Sequence, residues 1–415
     1  MKKLSQAIFT LGGKGTRLVK ITNETPKPLW NINGINTIER AINNLISQGI
    51  LNYIWITNYK PKLFEVEAKR LEKKYNIDIK IHKEASPKGE AGSLIDILEM
   101  LDEKFIFVNG DIIFNVDISR MNNFHIKNDA DITFMTHLTT HSEDSDCIIE
   151  SPSNSISEYK FKNEKIDSQY FFLGNAGLSL LTKNIVKSIQ NKFLKENFML
   201  NLFRDFIVES HNAGFKVFSY NTSEYLKDMG TPQRLLQVEN DLNNKIVDKL
   251  SYLNKQKVLF LDRDNTLIKC KNNEYIVSNK EIEIFEKRLE NIKKISSKYN
   301  FILFITNQPQ IAMGKVSWQE AININGEIIK ECQKRGLSIA GFYMCPHHPH
   351  SGFRNEIAEL KYNCFCRKPL PGLFFEASYH RNIDLGNSLM IGDSWRDKIA
   401  AKNAGIKFLD ATSLD

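Results

Sequence analysis

The chain has few cysteines for its length and no long hydrophobic run. Six cysteines in 415 residues are too few for the disulfide scaffold that small secreted domains use. No apolar run approaches the roughly 18–20 residues that cross a bilayer, so we expect no membrane-spanning helix and no membrane partner. Glycines and basic residues from position 12 onwards interrupt any signal-peptide core. We therefore expect a cytoplasmic protein.

Internal repeats, low-complexity tracts and a Pro/Gly-rich spacer are absent too. The length exceeds one ordinary hydrophobic core and predicts two domains, which we place at residues 1–240 and 257–415, with a helix and linker at 241–256 between them. The net charge of +7 suits anionic small-molecule substrates such as phosphates, although a lysine-rich surface explains it equally well. Nothing indicates a nucleic-acid partner, and the oligomeric state, a homo-oligomer included, stays open.

A short apolar strand at 7–11 leads into the glycine-rich turn Gly12-Gly13-Lys14-Gly15-Thr16-Arg17. Glycines after a strand let backbone N–H groups approach a phosphate closely. Because neither a P-loop nor a G-x-G-x-x-G fingerprint is present, the turn by itself is as consistent with a structural role as with nucleotide binding. Helical patterns at 37–48 and 63–75 alternate with a strand at 53–57, which predicts an α/β fold with a doubly wound, mostly parallel sheet.

The turn followed by Pro26-Lys27-Pro28-Leu29 resembles the signature of the sugar-phosphate nucleotidyltransferases. These enzymes join a sugar 1-phosphate to a nucleoside triphosphate and release pyrophosphate. The resemblance implies that Arg17 and Lys27 are catalytic cations that neutralise the phosphates. The segment 84–93 resembles the second nucleotide-contact loop of the family. The implied nucleotide-binding residues are Gly12, Gly13, Gly15, Thr16 and Gly89.

The same resemblance implies a magnesium site and a sugar site. Asp111 follows an apolar strand at 105–108, and Asp228 lies in a motif similar to the family's D-x-G-T-P. Both are implied Mg²⁺ ligands, since carboxylates and substrate phosphates together hold this ion. The implied sugar contacts are Lys162, Asn175 and Gly177.

The chain departs from the family pattern at two positions. Glu90 stands where threonine is usual, and Phe203 stands where the family usually has a glutamate that contacts sugar hydroxyls. The identity of the sugar therefore cannot be carried over from the family.

The second half begins with the apolar run 258–261, which ends in Asp262-Arg263-Asp264. Ligands gather at the carboxyl ends of the strands of an open α/β sheet, and two like charges there are costly unless a cation or a reaction uses them. Two further apolar strands end in Thr306-Asn307 and in Asp393. Together with Arg367-Lys368-Pro369, these residues resemble the haloacid-dehalogenase phosphatases, which have a Rossmann-like fold.

By that resemblance Asp262 is the nucleophile and Asp264 is the general acid and base. The implied phosphate-binding residues are Thr306, Asn307, Arg367 and Lys368. The implied Mg²⁺ ligands are Asp262, Asp264 and Asp393, with Asp397 supporting them.

Three cysteines and a histidine make the set Cys345, His347, Cys364 and Cys366. Two tight pairs of N/S ligands suit a closed tetrahedral Zn²⁺ site that shapes a loop. Free buried cysteines and a zinc finger are the alternatives, and His348 or His350 could replace His347. A zinc loop that runs into Arg367-Lys368-Pro369 narrows the resemblance to phosphatases acting on histidinol phosphate or heptose bisphosphate.

Two candidate sites on one chain predict consecutive reactions. The resemblances imply that the second domain removes the C7 phosphate of D-glycero-D-manno-heptose 1,7-bisphosphate. The first domain then transfers a nucleotidyl group, GMP being favoured, to heptose 1-phosphate. Two alternatives remain open. The same chemistries could act on another sugar phosphate or nucleotide, or the first domain could be a non-catalytic nucleotide-sugar sensor that regulates the phosphatase.

Overall fold

The computed structural model of the chain describes residues 4–13, 15, 17–18, 25–139, 145–150, 156–162, 172–193, 199–222, 224–270 and 274–415. The chain divides into two compact units. Among the described residues, unit 1 covers those between 4 and 137, between 145 and 162 and between 173 and 251, and unit 2 covers chiefly those between 252 and 415. No helix of the described segments is long and apolar enough to cross a membrane.

The described part of the first 251 residues contains strands and α-helices in mixed order. The strands are β1 Gln6–Thr10, β2 Asn31–Ile32, β3 Ile35–Asn36, β4 Asn52–Thr57, β5 Asp78–Lys83, β6 Lys104–Asn109, β7 Ile112–Asn115, β8 Ile132–Thr139, β9 Cys147–Glu150, β10 Ile156–Lys160, β11 Phe172–Thr182, β12 Val217–Asn221 and β13 Tyr225–Asp228. The α-helices are α1 Thr37–Ile46, α2 Pro61–Tyr75, α3 Gly89–Asp96, α4 Ile118–Lys127, α5 Lys183–Phe193, α6 Val208–Asn212, α7 Pro232–Asn243 and α8 Ile246–Lys249.

The main sheet of unit 1 is mixed. Seven of its nine strands run in the order β10-β9-β11-β6-β1-β4-β5, and β8 pairs with β11 and with β12. The β1–β4, β1–β6 and β4–β5 pairs are parallel, whereas β11 pairs antiparallel with both β6 and β9. The predicted α/β class is confirmed. Strands β6, β1, β4 and β5 are parallel to one another, and β11 extends the sheet as an antiparallel neighbour of β6.

Local sequence explains the first helix. The Asn36 side chain caps α1 by accepting from the Glu39 N–H, which satisfies one of the free donors at a helix start. Ile38, Ile42 and Leu45 are at most 1% exposed, because their spacing of three and four residues places them on one face. That face packs into the main core of unit 1.

The region 233–250, which reads as one long polar helix, is divided in the structure. Helix α7 ends at Asn243 and α8 begins at Ile246. Lys245 between them has a φ of +58°, a left-handed conformation that an α-helix cannot contain.

Unit 2 holds a five-stranded parallel sheet in the order β16-β15-β14-β17-β18. Its strands are β14 Val258–Leu261, β15 Phe301–Asn307, β16 Phe342–Cys345, β17 Leu389–Gly392 and β18 Lys407–Asp410. Its helices are α9 Glu286–Ser296, α10 Trp318–Lys334, α11 Gly372–Arg381 and α12 Trp395–Asn403. All four residues of β14 are buried, as expected for a central parallel strand covered on both faces.

Candidate active sites

The carboxyl ends of β1, β4 and β5 form one corner of the site in unit 1. Gly12 follows β1 and lies against Asn58, which follows β4. A Cβ added at Gly12 would be 3.2 Å from the Asn58 Cβ and 3.5 Å from Glu84 Oε2. Because Gly12 has no side chain, the space between the backbone of this turn and Asn58 stays unfilled. A Cβ at Gly13 would meet no atom within 4 Å, and Thr16 lies outside the described residues.

Lys27 and Asp111 form an ion pair beside the turn. Lys27 Nζ lies 2.9 Å from Asp111 Oδ2. The Lys27 side chain also covers Gly15, whose added Cβ would lie 3.3 Å from Lys27 Cε. The structure thus brings together a glycine, a cation and a carboxylate that the sequence places up to 96 residues apart.

Asp228 joins Asp111 through the backbone. Strand β13 pairs antiparallel with β7 so that Asp228 lies opposite Ile112, and the Met229 N–H donates to the Asp111 carbonyl at 3.0 Å. Arg234 Nη1 contacts both Asp228 carboxylate oxygens at 3.0 Å. Arg17 Nη2 would lie 3.3 Å from a Cβ added at the neighbouring Gly230.

Asp111 thus lies in the turn before β7 and Asp228 at the end of the neighbouring strand β13, each with a cation in contact. Carboxylate oxygens are the ligands that Mg²⁺ prefers. Asp111 and Asp228 therefore suit the predicted Mg²⁺ ion, which would share their oxygens with Lys27 and Arg234.

The predicted sugar contacts lie along β11 and its neighbours. Gly177 has a φ of +76°, and a Cβ there would be 3.3 Å from Asn109 Nδ2, so Gly177 lies beside the end of β6. The Asn175 N–H donates to the Asp146 carbonyl, and the Lys162 N–H donates to Asp146 Oδ1 at 2.8 Å. Lys162 and Asn175 therefore both flank Asp146.

Arg204 ties Asp146 to the turn that begins the 202–207 segment. Its Nη2 donates to Asp146 Oδ1 at 2.7 Å and to the Lys162 carbonyl at 3.2 Å. Sequence reasoning did not single out Asp146 or Arg204, because nothing local marks two residues 58 positions apart as partners.

The first residues of α3 are fixed against Leu200. The Ala91 N–H donates to the Leu200 carbonyl, and the Leu200 N–H donates to the Lys88 carbonyl. Gly89 between them has a φ of +80°, and a Cβ there would lie 2.4 Å from the Leu200 oxygen. Only glycine fits this close approach, so Gly89 shapes the loop whatever else it binds.

In unit 2, Asp262 and Lys368 are paired at the carboxyl end of β14. Lys368 Nζ lies 2.6 Å from Asp262 Oδ1 and 2.5 Å from Asp397 Oδ1, and these side chains are 3%, 11% and 1% exposed. Burial raises the pKa of Asp262, Lys368 opposes this rise, and the charges of Asp397 and Asp264 add to it. Lys368 is therefore the group that favours an ionised Asp262.

The Asp264 carboxylate is held by side chains rather than by the other acids. Arg263, which is fully buried, donates to it through Nε and Nη2 at 2.9–3.1 Å. Gln308 Nε2 donates to Asp264 Oδ2 at 2.9 Å and also to Thr306 Oγ1 at 2.7 Å. Arg263 and Gln308 were missed from the sequence, although both adjoin predicted site residues.

Asn265 follows Asp264 and has a φ of +54°. Asparagine is one of the few residues other than glycine that tolerate this left-handed backbone.

Asn307 and Arg367 organise the surroundings of Lys368. The Asn307 side chain donates to the Lys368 carbonyl and accepts from the Lys368 N–H, each at 3.0 Å. Arg367 Nη1 donates to the His347 carbonyl at 3.0 Å. All three residues line a cleft of about 180 Å³ that also contains Asp262, Asp264 and Asp393.

Three carboxylates of this cleft lie close enough to share an ion. One oxygen from each of Asp262, Asp393 and Asp397 lies within 4.8 Å of the others. Such hard oxygen donors fit Mg²⁺. The Asp264 carboxylate, which we predicted among the ligands, is outside this group, and Asp397 is inside it. Both Asp397 oxygens are already engaged, Oδ1 by Lys368 and Oδ2 by Ser394, whereas Lys368 contacts one oxygen of Asp262.

A second group combines sulfur and nitrogen. Ligand atoms of Cys345, His347, Cys364 and Cys366 all lie within 4.8 Å of one another. The Cys345–Cys364 and Cys364–Cys366 sulfur pairs are 3.5 and 3.2 Å apart, and His347 Nδ1 is 3.2 Å from the Cys366 sulfur. Zn–S bonds of about 2.3 Å give tetrahedral edges of about 3.8 Å, so the four side chains fit a structural zinc ion.

Neighbouring histidines do not enter this group. His348 Nδ1 accepts from the His350 N–H at 3.1 Å, whereas the Tyr362 hydroxyl contacts His347 Nε2 at 2.8 Å. The second ring nitrogen of His347 is thereby held, which fixes the orientation of the ring.

Comparison with known proteins assigns the larger part of the chain. A model of the nucleotidyl transferase family matches residues 6–245, more than half of the sequence. The chain belongs to the nucleotidyl transferase family. The nucleotidyl transferase unit also resembles a mannose-1-phosphate guanylyltransferase of Mycobacterium tuberculosis, with 26% identity over 245 residues, 57% of this chain and 64% of that protein.

The fold of the nucleotidyl transferase unit is found among solved structures. A Bacillus anthracis structure assigned as a glucose-1-phosphate thymidylyltransferase aligns with a TM-score of 0.51 and 20% identity, covering 57% of this chain and 94% of that one. At this identity the likeness shows the fold alone.

The remainder of the chain matches phosphatases. A HAD-hydrolase-like family model matches residues 365–410. A D-glycero-beta-D-manno-heptose-1,7-bisphosphate 7-phosphatase of Vibrio cholerae is 33% identical over 148 residues, which is 36% of this chain and 76% of that protein. The C-terminal part thus belongs to the family of these phosphatases, and the chain joins a nucleotidyl transferase to a HAD-type phosphatase.

Proposed function

We propose that the chain carries out two consecutive steps in the synthesis of a nucleotide-activated heptose. The phosphatase unit removes the C7 phosphate of D-glycero-D-manno-heptose 1,7-bisphosphate. The nucleotidyl transferase unit then joins the resulting heptose 1-phosphate to a nucleoside monophosphate, GMP being favoured, with release of pyrophosphate. Such substrates are cytoplasmic metabolites, and we propose that location for the enzyme.

One observation carries the proposal: a family of heptose-bisphosphate phosphatases and a family of nucleotidyl transferases meet on one chain. The product of the first reaction retains an anomeric phosphate, which is the group that the second reaction requires. The similarity to a mannose-1-phosphate guanylyltransferase supports a sugar of the manno series and a guanine base.

For the phosphatase step we propose Asp262 as the nucleophile. Its carboxylate attacks phosphorus, the P–O bond to C7 breaks, and Asp264 gives its proton to the leaving alkoxide. Asp264 then takes a proton from water, which attacks the aspartyl phosphate and releases orthophosphate. Arg263 and Gln308 hold the Asp264 carboxylate in position for both transfers. Lys368, whose three protons are donated within the site, would act on the phosphoryl oxygens through its charge, with Thr306, Asn307 and Arg367 beside it.

The cofactors have separate roles in this proposal. Mg²⁺ held by Asp262 and Asp393, with Asp397 supporting them, would neutralise charge on the phosphoryl group. Zn²⁺ held by the four Cys and His side chains would keep the 345–366 loop folded, and Arg367 would extend from that loop to the substrate. In this scheme the zinc loop helps to select the substrate.

For the transferase step the sugar phosphate oxygen attacks the α-phosphorus of the nucleotide, and pyrophosphate leaves. The site is arranged for positioning and charge neutralisation, which dominate phosphoryl transfer. We propose that Arg17 and Lys27 bind the phosphates, that the backbone at Gly12, Gly13 and Gly15 with Thr16 and Gly89 cradles the nucleotide, and that Asp111 and Asp228 hold Mg²⁺. Asn175, Gly177 and Lys162 would line the sugar side.

The phosphatase half is tested by substrate comparison. Purified protein is supplied with Mg²⁺ and either heptose 1,7-bisphosphate or histidinol phosphate, and orthophosphate release is followed at several concentrations. We expect kcat/KM to favour the bisphosphate at least about 100-fold. Efficient hydrolysis of histidinol phosphate with no action on the bisphosphate contradicts the proposal.

A further inference from the structure

Glu90 is a carboxylate with one oxygen fixed by the protein and one that no described residue occupies. Its Oε2 accepts from Asn201 Nδ2 at 3.1 Å and from the Leu202 N–H at 3.3 Å. Among the described residues, no side chain or backbone group donates to Oε1. Glu90 is half-buried, and no lysine or arginine forms an ion pair with it in the described parts of the chain, which leaves Oε1 available to a ligand.

The backbone around Glu90 is fixed as firmly as its side chain. Hydrogen bonds between Lys88, Leu200 and Ala91 hold the start of α3 against the 200–202 segment. Asn201 Oδ1 in turn caps that segment by accepting from the Phe203 and Arg204 N–H groups. The Asn201 amide therefore has one orientation, and it holds Oε2 of Glu90 while Oε1 has no donor among the described residues.

Glu90 lies within electrostatic range of the transferase site. Burial raises its pKa, the Leu202 N–H lowers it, the charges of Asp111 and Asp146 raise it further, and the charge of Arg204 lowers it. Asp111 marks the predicted metal side, and Asp146 lies between Lys162 and Asn175 on the predicted sugar side. Direct contacts also connect Glu90 to the sugar side, because Asn201 holds Glu90 Oε2 and caps Arg204, whose side chain binds Asp146.

Position 203 contributes no polar group to this site. Phe203 is 1% exposed and packs edge-on against Phe134 and Tyr159 at ring distances of 5.5 and 5.8 Å. Glu90 is the acid that the start of α3 presents to the 201–203 turn, where Asp205 Oδ2 already accepts from the Asn201 N–H.

We propose that Glu90 is a specificity-determining residue of the transferase, and that its free carboxylate oxygen accepts a hydrogen bond from a ring hydroxyl of the sugar 1-phosphate. A hydroxyl suits this oxygen better than a metal ion does, because the adjacent Oε2 is already saturated by two neutral N–H donors. The inference rests on the proposed nucleotidyl transfer and adds the residue that recognises a hydroxyl of the sugar.

The test is a cycle of enzyme variants and sugar analogues. Wild type, Glu90→Gln and the exposed control Glu99→Gln are assayed for pyrophosphate release with GTP, using heptose 1-phosphate, mannose 1-phosphate and monodeoxy mannose 1-phosphates. Loss of a hydrogen bond to a charged group corresponds to about 10- to 100-fold. We expect this rise in KM for the sugar phosphate in Glu90→Gln, with the KM for GTP unchanged and Glu99→Gln equal to wild type.

The analogues separate sugar binding from a structural role of Glu90. Removal of one ring hydroxyl should raise the sugar-phosphate KM of the wild type about 10-fold or more, and should raise that of Glu90→Gln much less. Equal penalties in both enzymes, or a Glu90→Gln variant with unchanged sugar KM, overturn the assignment while the transferase proposal stands. If Glu90→Gln fails to fold, the wild type is tested alone with the deoxy analogues. A wild type whose KM is the same for every deoxy analogue as for the parent sugar phosphate overturns the assignment. A wild type that releases no pyrophosphate with any sugar phosphate overturns both proposals.

Discussion

Lys368 Nζ lies 2.6 Å from Oδ1 of Asp262 in an almost fully buried pair. Three hydrogen bonds saturate this ammonium group, since it also donates to Asp397 and to the Ile305 carbonyl. A buried cation shared by two carboxylates links the reactivity of the site to the stability of unit 2.

Replacing Lys368 by methionine should destabilise unit 2 and abolish orthophosphate release. The variant leaves Asp262 and Asp397 buried without their cation, which costs about 3–5 kcal/mol. Urea unfolding of wild type and variant measures the loss. The isosteric Asp262→Asn variant is the matched control, because it should lose activity by about 10³-fold or more while keeping most of the stability. A Lys368→Met protein with wild-type phosphatase rate contradicts the assignment.

The transferase carboxylate Asp111 can be tested independently of the phosphatase. Asp111→Asn removes the charge that pairs with Lys27 and a proposed Mg²⁺ ligand. We expect pyrophosphate release to fall about 10²-fold or more, while orthophosphate release from the bisphosphate stays within twofold of wild type. Malachite-green and coupled pyrophosphate assays on one preparation measure both. A sensor role for unit 1 predicts instead that the wild type itself releases no pyrophosphate.

Zinc content distinguishes the metal site from free cysteines. Purified wild type should contain about one zinc ion per chain by elemental analysis, and Cys364→Ser/Cys366→Ser should contain almost none. Because zinc binding contributes to folding, the double variant should lose about 3 kcal/mol or more of stability in unit 2. Cys332→Ala, which changes a buried cysteine outside the group, should retain its zinc. Equal metal content in all three proteins excludes the site.

Glu39 should stabilise unit 1 in a pH-dependent way. Burial would raise its pKa, but hydrogen bonds from Lys74, Arg70 and Tyr75 lower the pKa to about 2. A depressed pKa favours the folded state above the unfolded value near 4.5, and this benefit is lost as pH falls towards 2. Glu39→Gln should therefore cost about 1–3 kcal/mol at pH 7, with allowance for screening by the exposed cations.

Urea unfolding of Glu39→Gln and wild type at pH 7, 5, 4 and 3.5 tests this expectation. The difference should stay constant down to about pH 5 and shrink below pH 4.5. Glu99→Gln, an exposed acid of the same unit, should match wild type throughout. A difference that grows on acidification would contradict the ion-pair explanation.

The sequence predicted best those features that local patterns determine. The apolar run before Asp262, the helix at 37–46 and the glycine turn at 12–15 depend on neighbours within a few residues. The direction of β11 could not be read in this way, because an apolar strand looks the same whether it pairs parallel or antiparallel. The break in the helix at Lys245 was not predicted either, although Asn243 and Asn244 before it are weak helix formers.

Side-chain partners were the hardest feature to predict. Asp264 was expected among the metal ligands, yet Arg263 and Gln308 hold its carboxylate. Arg234 on Asp228 and Arg204 on Asp146 are likewise tertiary contacts. Sequence spacing indicates which residues lie at a site. Side-chain rotamers and the neighbouring strands determine which of these residues contact one another.

The central claim is that one chain performs both reactions in order. Intact protein is incubated with Mg²⁺, heptose 1,7-bisphosphate and each nucleoside triphosphate in turn, and orthophosphate and pyrophosphate are quantified separately. We expect both products with GTP, orthophosphate before pyrophosphate, and no pyrophosphate from the Asp262→Asn variant unless heptose 1-phosphate is added. Orthophosphate without pyrophosphate for every nucleotide, with heptose 1-phosphate also inert, would contradict the account.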